Sequence, residues 1–146
     1  MPARGGAPKS RAAAKSAALA TVVLDAGFFV ALAKKDHVAA ELLSRTKEHR
    51  ALVLAASTIS EFWRTHRGLA ESRLSLLQPT IVHVDQALAK RAGELLRATR
   101  GTNAMDAIVV ALAERFRAEQ IYTSDVDDIE RLLYAAMQWH CEAVAF

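Results

Sequence analysis

Thr21-Val22-Val23-Leu24-Asp25-Ala26-Gly27-Phe28-Phe29-Val30-Ala31-Leu32-Ala33 is a β-branched run that ends on a carboxylate and passes straight into an apolar segment of helical spacing. No polar residue alternates with the apolar ones of Val22–Leu24, the pattern of a strand buried on both faces. In a parallel α/β protein, ligands bind beyond the carboxyl ends of the strands. An acid at that place suits a metal better than a core. Whether Asp25 matters therefore depends on whether other acids reach it.

Working outward, strands and helices alternate. Ala26–Ala33 reads as a short helix stopped by Lys34-Lys35-Asp36, and His37–His49 as a second with Val38, Leu42 and Leu43 as its apolar stripe. Ala51–Ala55 is a second buried strand. Ser57 or Thr58 is placed to cap the following helix, which Gly68 interrupts and Gln78-Pro79 ends. Ile81–Val84 is a third strand, and Gln86–Ala98 a helix opened by Asp85. After the loop Arg100–Asn103 come a helix over Met105–Arg117, a strand over Ile121–Thr123, a helix over Val126–Met137 and a fifth candidate strand over Ala143–Phe146. Alternation of this kind specifies α/β architecture, a parallel sheet with helices on both faces.

Composition bounds the rest. At 146 residues and 52% hydrophobic content, the chain has the length and core-forming capacity of one domain. The division expected is a basic tail over residues 1–20 and a folded domain over 21–146. The net charge is +3, yet residues 1–20 hold four basic side chains and no acid, so the remainder is net −1. Overall basicity is thus a property of the tail and no argument for a nucleic-acid-binding fold. Asp25 interrupts the apolar stretch that would otherwise mimic a secretory signal or a membrane span. The single cysteine, Cys141, excludes an internal disulfide and fits a reducing, cytoplasmic setting.

Most of the sixteen acids have an ordinary explanation, Glu41, Glu48, Glu71, Glu94, Glu114, Glu119 and Glu130 as solvated helix positions. Asp25, Glu61, Asp106 and the pair Asp125 and Asp128 stand apart. Each has a local explanation: Asp25 as an N-cap, Glu61 as the far end of a capping box from Thr58, and Asn103/Asp106 and Asp125/Asp128 with the same spacing. Their placement argues for more. Asp25 and Asp125 follow the first and fourth strands. Glu61 starts a helix leaving the second strand, and Asp106 starts a helix leading into the fourth. All four places lie at the carboxyl edge, and if strands one and four are neighbours the winding reverses between them, forming the crevice where such sheets bind ligands. Clustered carboxylates raise one another's pKa, and a hard divalent cation such as Mg²⁺ relieves the conflict. The five histidines fall in no ligand spacing.

Val23–Phe28, Ser57–Arg64, Asn103–Ala111 and Tyr122–Ile129 resemble, in order, the four blocks of the PIN domain, most closely those of VapC-type toxins of bacterial toxin–antitoxin pairs. The resemblance implies a three-layer α/β/α sandwich with a four- to five-stranded parallel sheet, Mg²⁺ or Mn²⁺ dependence, and endonucleolytic RNA cleavage. It assigns Asp25, Glu61 and Asp106 to the first three family acids, and Asp125 and Asp128 both fit the fourth block. One or two ions would be held chiefly by Asp25 and Asp106, with Glu61 and Asp125 or Asp128 supporting. Thr123 or Ser124 would orient a water or the substrate. RNA contacts would fall to local arginines, Arg64 and Arg67 first, with Arg73, Arg97 and Arg100, or to the tail. The family further implies a VapB-like antitoxin whose C-terminal segment enters the site, and a homodimer, for which Trp63, Leu69 and Leu74 are candidate contacts and Phe62 reads as core. A catalytically silent PIN-fold module binding RNA or protein is the alternative.

Overall fold

The computed structural model describes residues 20–34, 37–47, 50–136 and 139–146, with backbone only at 46, 47 and 50. The order is β1 (Ala20–Leu24), α1 (Ala26–Ala33), α2 (His37–Lys47), β2 (Arg50–Ala55), α3 (Ala56–Leu77), β3 (Thr80–Val82), α4 (Gln86–Thr99), α5 (Ala104–Phe116), β4 (Gln120–Tyr122), α6 (Val126–Ala136) and β5 (Glu142–Val144). The five strands form one sheet in the order β3-β2-β1-β4-β5, and every pairing is parallel.

The strand periodicity of two divides the core in half. Val22, Leu24, Leu52, Leu54 and Tyr122 face one cluster, with the apolar sides of α1, α2 and α3. Val23, Val53, Ala55 and Ile121 face the other, with α4, α5 and α6. The crossovers from β1 to β3 thus lie on one face and those from β3 to β5 on the other. Right-handed crossovers require this when the winding direction reverses between β1 and β4. The α/β/α sandwich is the architecture the sequence implied, with five strands.

Differences of detail have local causes. The third strand is Thr80–Val82 rather than Ile81–Val84, because only these residues lie in register with Val53–Ala55 of β2. At the C-terminus, pairing with β4 covers Glu142–Val144, and Phe146 instead packs its ring edge-on against Phe28 at 5.3 Å. α3 is broken at His66 (φ −137°, ψ 45°) and not at Gly68. α3 also begins straight out of β2 at Ala56, with Ala55 in the cap position and no side-chain cap. Thr58 lies buried inside the first turn, so no capping box forms. The expected ends of the second and last helices at His49 and Met137 lie outside the described residues. No described helix is long and apolar enough to cross a membrane.

An aromatic chain ties α1 to α3 and the sheet beneath the acidic edge. Phe29 and Phe62 stack at 4.4 Å with their planes 8° apart, and Phe28 meets Phe29 edge-on and Tyr122 at a tilt. Phe62 is core, as read, while Trp63 and Leu69 of the same helix are exposed and Leu74 is half-buried against the core. Phe62→Ala removes a buried ring and its stacking partner's contact. It is expected to cost about 3–5 kcal/mol of stability, read as a lower urea midpoint with an unchanged m-value.

Candidate metal centre

The β1–β4 register brings the acid blocks together. Leu24 pairs with Tyr122, and the ladder continues one residue further, the Asp25 amide donating to the Tyr122 carbonyl at 2.9 Å. Thr123 follows, fully buried, and its hydroxyl donates to Asp25 Oδ2 at 2.8 Å while accepting the Asp125 amide at 3.0 Å. The other Asp25 oxygen accepts the Ala26 amide at 2.7 Å, so the N-cap reading of Asp25 is correct as far as it goes. Thr123 therefore differs from its expected role. Its hydroxyl points into the sheet edge and locks Asp25 to the β4–α6 turn, and it has no free face for a water. Ser124 is exposed and lines the crevice, with its Oγ filling the space that a Cβ on Gly27 would take. A side chain at position 27 would have to displace the Ser124 hydroxyl from this place.

Asp106 comes from the opposite helical layer. Asn103 caps α5 through bonds from the Met105 and Asp106 amides to its Oδ1, at 3.1 and 3.2 Å. That fixes Asp106 in the first turn with its side chain at the crevice. Asp106 is only 5% exposed, and its Oδ2 is buried with no hydrogen-bond partner. One carboxylate oxygen of each of Asp106, Asp125 and Asp128 lies within 4.8 Å of the other two. Asp25 and Glu61 stand outside this group of three but line the same crevice as Asp106 and Asp125. Glu61 is a full turn into α3, so it faces the crevice instead of reaching back to a cap.

Burial and mutual repulsion shift Asp106, Asp25 and Glu61 in one direction. Asp106 is pushed up to about 7, first by desolvation and then by Asp25, Asp125, Asp128 and Glu61. Asp25 is raised by burial, against the opposing bonds from Thr123 and Ala26, with Asp125 adding to the rise. Glu61 is raised by desolvation and by Asp25, and Arg64 works against the shift. An unpartnered buried oxygen facing two more carboxylates is costly without a counter-charge. The donors are all hard oxygens, and no His or Cys joins them among the described residues, which suits Mg²⁺ or Mn²⁺ and disfavours zinc. The residues therefore fit the cation that the sequence implied.

Positive groups line only part of this edge. Arg64 lies along the crevice together with Lys34, which the sequence presented only as part of a helix stop. Arg67 is exposed on α3 but does not line the crevice, and Arg97 is likewise exposed. Arg73 departs from the expected RNA-contact set, since its guanidinium turns toward the Leu32 carbonyl of α1 at 3.5 Å. Cys141 precedes β5 at the opposite edge of the sheet, and burial pushes its thiol up to about 12, so it is no nucleophile.

A carboxyl group whose pKa is higher in the folded chain stabilises the fold while it is protonated. That contribution is lost as pH rises from the ordinary 3.8 toward about 7. In EDTA, wild-type stability should fall across this window by up to about 1.4 kcal/mol per pH unit relative to Asp106→Asn. At pH 8 the variant should be the more stable protein, and adding Mg²⁺ should raise the urea midpoint of the wild type alone. Parallel pH profiles for the two proteins would contradict this electrostatic assignment.

The sequence matches the family model of the PIN domain over residues 22–132. No curated protein sequence matches the chain. Among solved structures, VapBC2 from Rickettsia felis bound to a promoter DNA fragment aligns with a TM-score of 0.66 at 13% identity, covering 86% of this chain and 98% of that one. A toxin–antitoxin complex from Klebsiella pneumoniae aligns at 0.64 and 19% identity, covering 84% and 95%. Mycobacterium tuberculosis VapC20, described as a Sarcin-Ricin loop cleaving toxin, aligns at 0.62 and 18% identity, covering 81% and 95%. At such identities these structures speak for the fold alone, while the family match spans most of the chain and contains all five candidate acids. The chain belongs to the PIN domain family.

Proposed function

We propose that this chain is a Mg²⁺- or Mn²⁺-dependent endoribonuclease that hydrolyses RNA phosphodiester bonds and serves as the toxin of a toxin–antitoxin pair in the cytoplasm. The observation that carries the reading is the buried, unpartnered Oδ2 of Asp106 beside Asp125 and Asp128 at the sheet's switch point. A structural acid would be capped, paired or solvated there. The toxin assignment draws on the solved toxin–antitoxin structures of the same fold.

In this reading Asp106, Asp125 and Asp128 hold the cation, and Asp25 completes the negative wall behind them. Asp125 and Asp128 are both assigned to the cation, a reading supported by the approach of one oxygen of each to within 4.8 Å of Asp106. When bound, the cation supplies Lewis acidity to a water and charge compensation to the phosphate. Glu61, partly buried across the crevice and raised first by desolvation and then by Asp25, accepts the proton of the attacking water. Thr123 acts as a positioning residue by holding Asp25 and the Asp125 amide in one rigid unit. Arg64 and Lys34 on the crevice wall attract and orient the phosphate backbone, and Ser124 at the rim offers a hydroxyl to it. No protein nucleophile is required.

The same acidic crevice is a natural seat for a guanidinium, so an antitoxin segment carrying an arginine would both block it and neutralise its charge. Exposed Trp63 and Leu69 on α3 supply apolar surface for that partner or for a second copy of the chain.

Asp25→Asn and Asp106→Asn should each lower cleavage of single-stranded RNA in Mg²⁺ by at least ~100-fold, equivalent to several kcal/mol of lost charge stabilisation. EDTA should abolish wild-type activity and Mn²⁺ restore it. Undiminished cutting by either variant, or in EDTA, would overturn the proposal. Mn²⁺ binding without any cleavage of cellular RNA would favour the silent binding module.

A further inference from the structure

Asp106 borders a second recess, on the far side from Asp25 and Glu61. It lies between the end of α4, the loop of residues 100–103 and α6, with a volume of about 160 Å³. Asp106 and Asn103 line both hollows, so the two adjoin at the acid cluster. We propose that this recess takes the base of the nucleotide next to the scissile phosphate of the RNA strand, and thereby sets cleavage preference at that position. The inference rests on the nuclease reading above.

Three features of the recess match a nucleotide. Its floor is apolar, made by Leu96 and Leu132, and gives a ring a dry face to lie on. Its rim is polar. Asn103 spends its Oδ1 on two α5 amides and has its amide NH₂ to offer, and Thr102 is exposed at the mouth. Thr99 is committed to the loop instead, donating to the Leu95 carbonyl at 2.8 Å and receiving the Gly101 amide at 3.3 Å, which holds the wall rigid. Finally, two guanidinium groups stand at the opening, Arg100 and Arg131.

Charge and size give the occupant more definition. A strand approaching three carboxylates needs cations close by, and Arg100 and Arg131 are the arginines lining this hollow. Arg131 currently contacts Asp128, Nη1 to Oδ1 at 3.2 Å, but both side chains are largely exposed, and such pairs hold weakly. A planar guanidinium released from that contact can take a phosphate by two parallel bonds or lie flat on a base. The volume of about 160 Å³ is near the roughly 150 Å³ of a cavity that accepts a benzene ring. A recess of that size admits one ring and no base pair, so the base that enters it is unpaired.

Arg100→Ala and Thr102→Trp test this without touching the buried core, since both residues are exposed. The first removes one of the two cations and the second fills the mouth, and unchanged circular dichroism and melting would confirm that each folds. The full-length wild type and both variants would digest a randomised single-stranded RNA library in Mg²⁺, with the 5′ ends of the products sequenced. The proposal expects the preference at one position flanking the cut to relax by at least ~10-fold in both variants, with other positions unchanged. Identical preferences in all three proteins would overturn the recess assignment and leave the nuclease reading intact. A parallel measurement would follow binding of the same library to full-length Asp25→Asn in EDTA, alone and combined with each change. If the wild type cuts no RNA, the nuclease reading fails. A ~10-fold loss of binding in both double variants would then still support a nucleotide site, and unchanged binding would reject it.

Discussion

Two hydrogen bonds join the halves of this molecule at its centre: the Asp25 amide to the Tyr122 carbonyl, and the Thr123 hydroxyl to the Asp25 carboxylate. They extend the β1–β4 pairing beyond the assigned strands. Because β1 and β4 are neighbours, the chain winds outward in both directions from this seam, and the loops that follow them part to opposite faces. A crevice opens between those loops for geometric reasons alone. The Phe28 ring against Tyr122, and the close approach of Ser124 to Gly27, keep its walls at a set separation. The acids occupy the opening as passengers of this seam.

The electrostatic consequence is a site held against its own repulsion. The apolar clusters on both faces of the sheet supply the favourable energy, and the acidic edge draws on it. Ion pairs elsewhere are disposed to stiffen the frame. Arg91 of α4 grips Glu114 of α5 with two bonds at 2.7 and 2.8 Å, and Arg115 of α5 holds Asp85, the residue that caps α4. These contacts clamp the pair of helices whose connecting loop forms the second recess, and whose later member carries Asp106. A rigid α4–α5 unit therefore presents Asp106 at a fixed height over Asp125 and Asp128.

Much of the candidate site was legible in the residues, and the reason is that strand ends are punctuated by chemistry. Asp25 ends a buried apolar run, and acids reaching the same sheet edge from a second strand end and from two helix starts constrain each other. The misreadings arose where local and tertiary logic offer the same signal. Thr58 and Glu61 have capping-box spacing, yet α3 starts as a direct continuation of β2, so the box has no terminus to cap. Thr123 carries a hydroxyl in a block of polar residues, and only the β1 partner decides that it turns inward. Arg73 and Arg64 are both arginines of α3; the approach of α1 draws one toward a carbonyl, while the other lies on the crevice wall.

The sequence by itself determined the alternation of strands and helices, the positions of the acids at the carboxyl edge, and the helix stop at Gln78-Pro79. All of these follow from periodicity and backbone preference, which act over a few residues. Tertiary structure alone decided which acids converge. Asp106, Asp125 and Asp128 form the tight group, while Asp25, the most conspicuous acid in the sequence, has both oxygens engaged by Thr123 and Ala26. Carboxylate separations of a few ångströms depend on how the α5 and α6 termini pack over the β1–β4 seam. That packing is a sum of contacts between residues nearly a hundred positions apart, and no local pattern encodes it.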